Sequence, residues 1–271
     1  MSIPSIIFIV PYRDREQHKS TYIANMVKYM ELHHTNQQYE IYISHQHDGR
    51  HFNRGAMKNI GFIHAREKYP NDYKNITFVF NDIDTYPIQE YRIDYNTQHN
   101  IVKHFFGFNH ALGGIFSITG ETFEKINGFP NYWGWGLEDN VLQHRIMKTG
   151  ATIDYSQFTT FYDNVKYISQ DQNNVRILDP NMTQFAMTDR LQNGLTTIRD
   201  LDKCDVSLSD TVIMVNASNF ICEFPHENCR MLYKTIKTKQ EIDRFALHKD
   251  NFSLKGFMMQ NGSANNFKMK F

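Results

Sequence analysis

Apolar and polar positions alternate along this chain in blocks that change period. Ile3–Val10 is a nearly unbroken apolar run of strand length, closed by Pro11 and followed by a polar, arginine-bearing turn. From Glu16 to His34 the apolar positions Tyr22, Met26, Tyr29 and Met30 recur at helical spacing. Glu40–Ser44 reads as a second strand, Gly55–Lys68 as a second helix and Asn75–Phe80 as a third strand that runs directly into Asn-Asp-Ile-Asp. Gly113–Thr119 gives another strand, Gly120–Ile126 a short helix and Glu138–Thr149 a helix opening on two carboxylates. Beyond Asp154 the periodicity fades, leaving a strand-like piece at Thr211–Val215 and a helical stretch at Lys239–His248. Strands alternating with helices predict an α/β fold with right-handed crossovers and a mainly parallel central sheet flanked by helices. Ligands of such sheets bind beyond the carboxyl ends of the strands, so the polar groups after strands one and three are expected on one rim.

Composition narrows this picture. A hydrophobic fraction of 41% over 271 residues suffices for a sizeable core. Twenty-nine basic and 29 acidic residues give a formal net charge of +0, which gives no sign of a broad polyanion-binding surface, so no nucleic-acid partner is expected. The three cysteines, Cys204, Cys222 and Cys229, are too few for a disulfide framework and fit a reducing compartment. The early apolar run is far shorter than the ~20 residues that span a bilayer, and no membrane anchor is expected. Residues 1–205 are read as one catalytic domain and 206–271 as a C-terminal extension packed on it.

Four groups carry candidate chemistry. Asp82 and Asp84 stand at i and i+2, which in an extended segment puts both carboxylates on one side, where a divalent cation such as Mg²⁺ or Mn²⁺ would relieve their repulsion. Solvated acids at a strand end would look the same. Arg13 and Arg15 have guanidinium forks suited to phosphate or a base edge, although such a pair alone is more often a solvated turn. Phe52-Asn53-Arg54-Gly55 could stack a base and neutralise phosphate; Asn53 would equally serve as the cap of the helix that follows. Asn131-Tyr-Trp-Gly-Trp-Gly-Leu-Glu-Asp139 holds both tryptophans, Trp133 and Trp135, as apolar faces for a sugar ring. Gly134 and Gly136 allow close backbone approach, and Glu138 and Asp139 lie where a helix N-terminus favours negative charge. A carboxylate beside a sugar is a candidate general base; taken alone, the motif reads better as capping acids after a core tryptophan loop.

In order along the chain, Pro-Tyr-Arg-Asp-Arg (11–15), Phe-Asn-Arg-Gly-Ala-Met-Lys-Asn-Ile-Gly (52–61), Phe-Val-Phe-Asn-Asp-Ile-Asp (78–84), Phe-Gly-Phe (106–108), Gly-Gly-Ile-Phe-Ser-Ile (113–118), Ile-Asn-Gly-Phe-Pro-Asn-Tyr-Trp-Gly-Trp-Gly-Leu-Glu-Asp (126–139) and, more loosely, Leu-Gln-Asn-Gly-Leu-Thr-Thr-Ile (191–198) resemble the β1,4-galactosyltransferase family, including its N-acetylgalactosaminyl and xyloside-directed relatives. The resemblance implies a GT-A-type nucleotide-sugar-binding fold, a UDP-sugar donor, a carbohydrate acceptor, Mn²⁺ and inversion at the anomeric carbon. It implies donor contacts from Pro11, Arg13, Arg15, Phe52, Arg54, Asp82, Ile83, Asp84 and Trp135. Acceptor or sugar contacts are implied for Ala111, Gly113, Gly114, Tyr132, Trp133, Gly136 and Glu138. Asp139 would be the base, Glu138 its partner and Asp84 a metal ligand.

Three departures stand out. The family's histidine ligand after the catalytic helix has no counterpart; spacing puts Tyr167 there, with Asp163 as a further oxygen donor. Ala111 takes the place, two before the paired glycines, of a frequent aromatic that limits donor size. The anchor and stem of secretory-pathway members are not seen, from which a cytoplasmic protein of a microbe or large virus is expected. A non-catalytic carbohydrate-binding protein would not need the four acids. A metal-dependent nucleotidyltransferase would want a glycine-rich phosphate loop after its first strand, which Pro11-Tyr-Arg-Asp-Arg15 is not.

Overall fold

The computed structural model describes residues 2–163, 165–170 and 175–233; the helical stretch expected at Lys239–His248 lies outside them. In chain order the elements are β1 (Ile6–Tyr12), α1 (Glu16–His33), β2 (Tyr39–Gln46), α2 (Arg54–Lys68), β3 (Thr77–Asn81), β4 (Thr85–Pro87), β5 (Ile101–Phe108), β6 (Ala111–Thr119), α3 (Gly120–Lys125), α4 (Glu138–Lys148), β7 (Thr152–Asp154), β8 (Thr159–Thr160), β9 (Tyr167–Ser169), β10 (Val175–Leu178), α5 (Met182–Met187), β11 (Arg199–Ser207), β12 (Val212–Ile221) and β13 (Arg230–Tyr233). Nine strands form one sheet in the order β11-β12-β2-β1-β3-β6-β5-β7, with β8 on β5. The sheet is mixed: β12, β2, β1 and β3 run parallel, whereas β6 lies antiparallel to both β3 and β5.

Both faces of the sheet are covered, which is why β1 reads as a continuous apolar run. Ile7 and Ile9 point into the core beneath α2 and α3; Ile6, Phe8 and Val10 point into the core beneath α1. Pro11 does not end the strand: β1 stays paired with β2 as far as Tyr12↔His45, while its pairing with β3 stops at Ile9. The missing N–H thus falls where β1 has a neighbour on one side only.

Two strands escape the sequence pattern. Register shifts in β5 around Phe106 break its alternation. β11 is almost wholly exposed and polar, as suits the edge of a sheet. Position 205 lies inside β11, and β12 is hydrogen-bonded between β11 and β2. No helix among the described residues is long and apolar enough to cross a membrane.

Candidate active site

The parallel register carries the ends of β1 and β3 to the same rim, and one arginine after β1, Arg15, meets an acid after β3, Asp84, there. Arg15 Nη1 lies 2.6 Å from Asp84 Oδ2. The two acids do not share one extended face, however. Thr85 N–H donates to the Asp82 carbonyl at 3.1 Å, so the chain turns immediately after β3. Each carboxylate then meets its own guanidinium: Asp82 takes Arg54 Nη2 at 2.9 and 3.0 Å, while Asp84 takes Arg15.

Arg54 reaches the site because Asn53 caps α2, its Oδ1 accepting from Ala56 N–H at 2.8 Å. Capping and chemistry coexist in this segment: the amide fixes the helix start and the next side chain projects into the cleft. Arg54 also approaches Glu138 at 3.5 Å and Asp139 at 3.6 Å. Burial opposes its charge, but the three carboxylates outweigh that and hold it protonated. Arg13 donates to the Arg50 carbonyl and pairs with Asp14, which ties the turn after β1 to the approach to α2.

Glu138 and Asp139 open α4. The chain reaches them through Gly134, Gly136 and Leu137, all at positive φ. Glu138 is buried, accepts from Gly136 N–H at 3.0 Å, and has its acidity weakened by burial and then by the neighbouring Asp139 charge. Asp82 is shifted in the same direction, by burial first, with Arg54 and Lys58 opposing. Asp139 packs against Gly113: a Cβ there would lie 2.8 Å from Asp139 Cγ. Gly114, at φ +69°, accepts from Asp82 N–H at 3.2 Å through its carbonyl. Gly113 therefore lies against the acid opening α4, where a side chain would displace it, while a side chain at Gly114 would run into the Phe106 backbone on β5.

Buried amides hold these segments together. Asn59 on α2 donates to the Phe129 carbonyl and to Asn131 Oδ1, both at 2.8 Å, and its Oδ1 accepts from Phe129 N–H at 2.9 Å. Asn53 Nδ2 donates to the Asn131 carbonyl at 3.0 Å. Asn131 donates its amide N–H to Asn193 Oδ1 at 2.6 Å and its side-chain N–H to the Gly194 carbonyl at 2.8 Å. The stretches around 53–59, 127–131 and 193–197 thus form one unit.

Several expected contacts are corrected. Trp133 is 2% exposed, stacked on Phe220, with Nε1 donating to the Phe224 carbonyl at 2.7 Å, so neither ring face is open to a sugar. Tyr132 is likewise buried, against Phe185 and Phe224. Trp135 is half-buried on a backbone fixed by its N–H to the Ile177 carbonyl at 2.6 Å. Pro11 and the Ile83 side chain are buried as well, Ile83 in the core beneath α1. Tyr167 is buried among Tyr91 and Phe106, and burial pushes its phenol up, away from a metal-binding phenolate. The strand register explains the miss: Thr85 pairs with Ser169, and Gln170 N–H reaches the Asp84 carbonyl at 2.9 Å, leaving Tyr167 opposite Pro87. Asp163 is exposed and accepts from Thr160 Oγ1 at 2.7 Å. Ala111 starts β6 opposite Phe108.

Sequence reasoning passed over Lys58. It is 1% exposed, with Nζ 3.1 Å from Asp139 Oδ1, 3.9 Å from Asp82 Oδ1 and 4.4 Å from the centre of the Phe129 ring. The signal was present: a lysine four residues after Arg54 in a helical stretch shares its face.

Two successive family models match the chain: the N-terminal region of glycosyl transferase group 7 over residues 2–97, and the N-terminal domain of galactosyltransferase over residues 100–167. The chain belongs to the β1,4-galactosyltransferase family. It is 30% identical to mouse β-1,4-galactosyltransferase 1 over 203 residues, which is 72% of this chain and 48% of the relative. It is 34% identical to Chinese hamster (Cricetulus griseus) β-1,4-galactosyltransferase 2 over 161 residues, 55% of this chain and 42% of the relative. The chain thus spans about half the length of the curated relatives it matches. The fold is that of a mutant of Drosophila β1,4-galactosyltransferase 7 in complex with manganese, UDP-Gal and xylobiose, with a TM-score of 0.61 at 19% identity, covering 82% of this chain and 96% of that one. Family membership overturns the cytoplasmic expectation, since these animal relatives are Golgi-resident type II membrane proteins. A viral or microbial source has no support from them.

Proposed function

We propose that the chain transfers a hexose or N-acetylhexosamine from a UDP-sugar to a carbohydrate hydroxyl with inversion. The observation that carries this reading is the convergence of Asp82, Asp84, Glu138 and Asp139 with Arg15, Arg54 and Lys58 at one rim of the sheet. Four carboxylates face three cations there, and each cation is already matched. A diphosphate entering such a site adds further negative charge, which favours a divalent ion entering with it. Among the described residues no three of His, Cys, Asp and Glu cluster to cage a metal. Asp84 alone fits the commoner arrangement of one or two carboxylates shared with substrate phosphates. It would hold Mn²⁺, which when bound supplies charge neutralisation to the leaving diphosphate.

In the proposed reaction the acceptor hydroxyl attacks the anomeric carbon opposite UDP. The new glycosidic bond forms as the bond to the diphosphate oxygen breaks, and the hydroxyl proton passes to Asp139. Arg13, Arg15 and Arg54 stabilise charge growing on the diphosphate. Phe52 and Trp135 border the donor, Gly136 and Glu138 the acceptor. The catalytic unit, taken as residues 1–205, works together with residues 206–233, whose strand β12 completes the sheet beside β2.

The test is sugar release and transfer from a panel of UDP-sugars with Mn²⁺. Asp84→Ala is expected to abolish transfer while keeping the wild-type thermal transition, and excess EDTA to do the same to the wild type. Full activity in EDTA would refute the metal assignment, and no turnover of any UDP-sugar would refute the reaction.

A further inference from the structure

Arg50 has no place in the reaction as set out, yet four separate parts of the chain meet on it. It stands in the loop between β2 and α2. Its backbone N–H donates to Asp48 Oδ1 at 2.9 Å, and its Nε and Nη2 donate to Asp48 Oδ2 at 2.9 and 2.5 Å. Its Nη1 donates to the Phe220 carbonyl on β12 at 2.7 Å. The guanidinium carbon lies 4.4 Å from the centre of the Phe220 ring and 4.8 Å from that of Trp133, and those two rings stack on each other. The Arg50 carbonyl accepts from Arg13 Nη1. The same loop is fixed from the core side by the buried Gln46. Its Nε2 donates to Asp48 Oδ1 at 2.8 Å and to the His51 carbonyl at 3.0 Å, and its Oε1 accepts from Asn53 N–H at 2.8 Å.

We propose that Arg50 is a positioning residue for the donor: its side chain pins the loop to β12, so that its carbonyl holds Arg13 in place for the diphosphate. This rests on the proposed transferase reaction, in which Arg13 is one of the diphosphate contacts. Arg13 has two holds, the Asp14 carboxylate through Nε and the Arg50 carbonyl through Nη1. The Asp14 side chain is 82% exposed, and an ion pair open to water restrains a long side chain weakly. The carbonyl is therefore the stronger hold, and a loop carbonyl is only as fixed as its loop. Arg50 fixes that loop with its own side chain, through a forked ion pair, a backbone carbonyl and two aromatic rings. An arginine held in advance loses less rotamer freedom when a phosphate arrives, so the fixation shows as donor affinity. By this route β12, a strand given no donor contact, governs one that lies on the turn after β1.

The deciding experiment is a double-mutant cycle on UDP affinity, measured by calorimetry with Mn²⁺ present. Arg13→Met is expected to weaken UDP about tenfold or more, the loss of a charged hydrogen bond. Arg50→Met should weaken it about threefold to tenfold, the cost of ordering one long side chain. Because Arg50 acts through Arg13, the double variant should bind like Arg13→Met alone, whereas combining Arg50→Met with Arg15→Met should multiply the two losses. Arg50→Lys, which can still reach the Asp48 carboxylate and the Phe220 carbonyl, should bind UDP more tightly than Arg50→Met. The Arg13 Nε–Hε signal, assigned by NMR from Arg13→Met, should exchange with solvent severalfold faster in Arg50→Met. Losses that multiply between Arg50→Met and Arg13→Met would show general damage and overturn the proposal, as would wild-type affinity or an unmoved Arg13 signal in Arg50→Met. If Arg50→Met lacks a cooperative thermal transition, Asp48→Asn loosens the same guanidinium from its partner and gives the same readings at smaller amplitude. The Arg13 signal is read without nucleotide. A wild type that binds no UDP would thus refute the transferase reading, while the signal still decides whether Arg50 holds Arg13.

Discussion

At the scale of single residues, the site depends on which atoms are allowed to be close. Asp139→Asn preserves shape and removes the proton acceptor; turnover should fall at least ~10²-fold with UDP affinity nearly unchanged by calorimetry. If Glu138→Gln were the damaging change instead, the two acids would exchange roles. Gly113→Ala probes the same carboxylate from behind. The added methyl would press on Asp139, so kcat should drop by an order of magnitude or more while KM for the donor changes little. Ala111→Tyr tests donor choice. Phe106 and Phe108, the aromatics best placed to refill the space beside a small residue, already pack on Phe161, and Phe108 stacks on His110 as well. We expect the wild type to accept UDP-GalNAc or UDP-GlcNAc at least as well as UDP-Gal, a buried methyl contributing about 1 kcal/mol, and Ala111→Tyr to favour UDP-Gal in direct competition.

At the scale of elements, much of this was legible. The rim after β1 and β3, the helix opening on Glu138 and the cap at Asn53 follow from period and local chemistry. What sequence could not supply was direction. The turn at Ile83–Asp84 separates two acids that an extended chain would align, and the pairing of β4 with β9 decides that Gln170, not Tyr167, stands beside Asp84. Trp133 and Trp135 are two residues apart and read alike, yet one is consumed by packing on Phe220. The asparagine lattice was equally invisible, because a polar residue on a helix looks solvated until its partners are known. Asn59→Ala would strand buried groups of Phe129 and Asn131; the unmet groups cost about 1–3 kcal/mol each, measurable by urea denaturation. The bulge in β5 adds a pH effect. His104 Nε2 lies 3.1 and 3.0 Å from the carbonyls of Phe106 and Gly113, and its folded pKa of about 4 is below the ordinary 6.5. Between those values the unfolded chain binds more protons, so stability from this group is complete above pH 6.5 and is lost as pH falls toward 4. Compared with wild type, His104→Gln should show a flatter decline of Tm over that window.

At the scale of the whole molecule, β2 is flanked by β1, its neighbour in sequence, and by β12, which arrives some 170 residues later. A polypeptide leaving the ribosome at about 5–20 residues per second therefore carries β2 with one side bare for many seconds after the Arg15, Arg54 and Asp82 segments have emerged. The nascent chain has an open strand edge for most of its synthesis, the kind of surface that seeds intermolecular pairing. A chain terminated at residue 205 should consequently accumulate in inclusion bodies, whereas one ending at 233 should stay in the supernatant. Nascent chains arrested at successive lengths should gain protease resistance in one late step, once Ile221 has cleared the exit tunnel, and chaperone demand during expression should track that last interval.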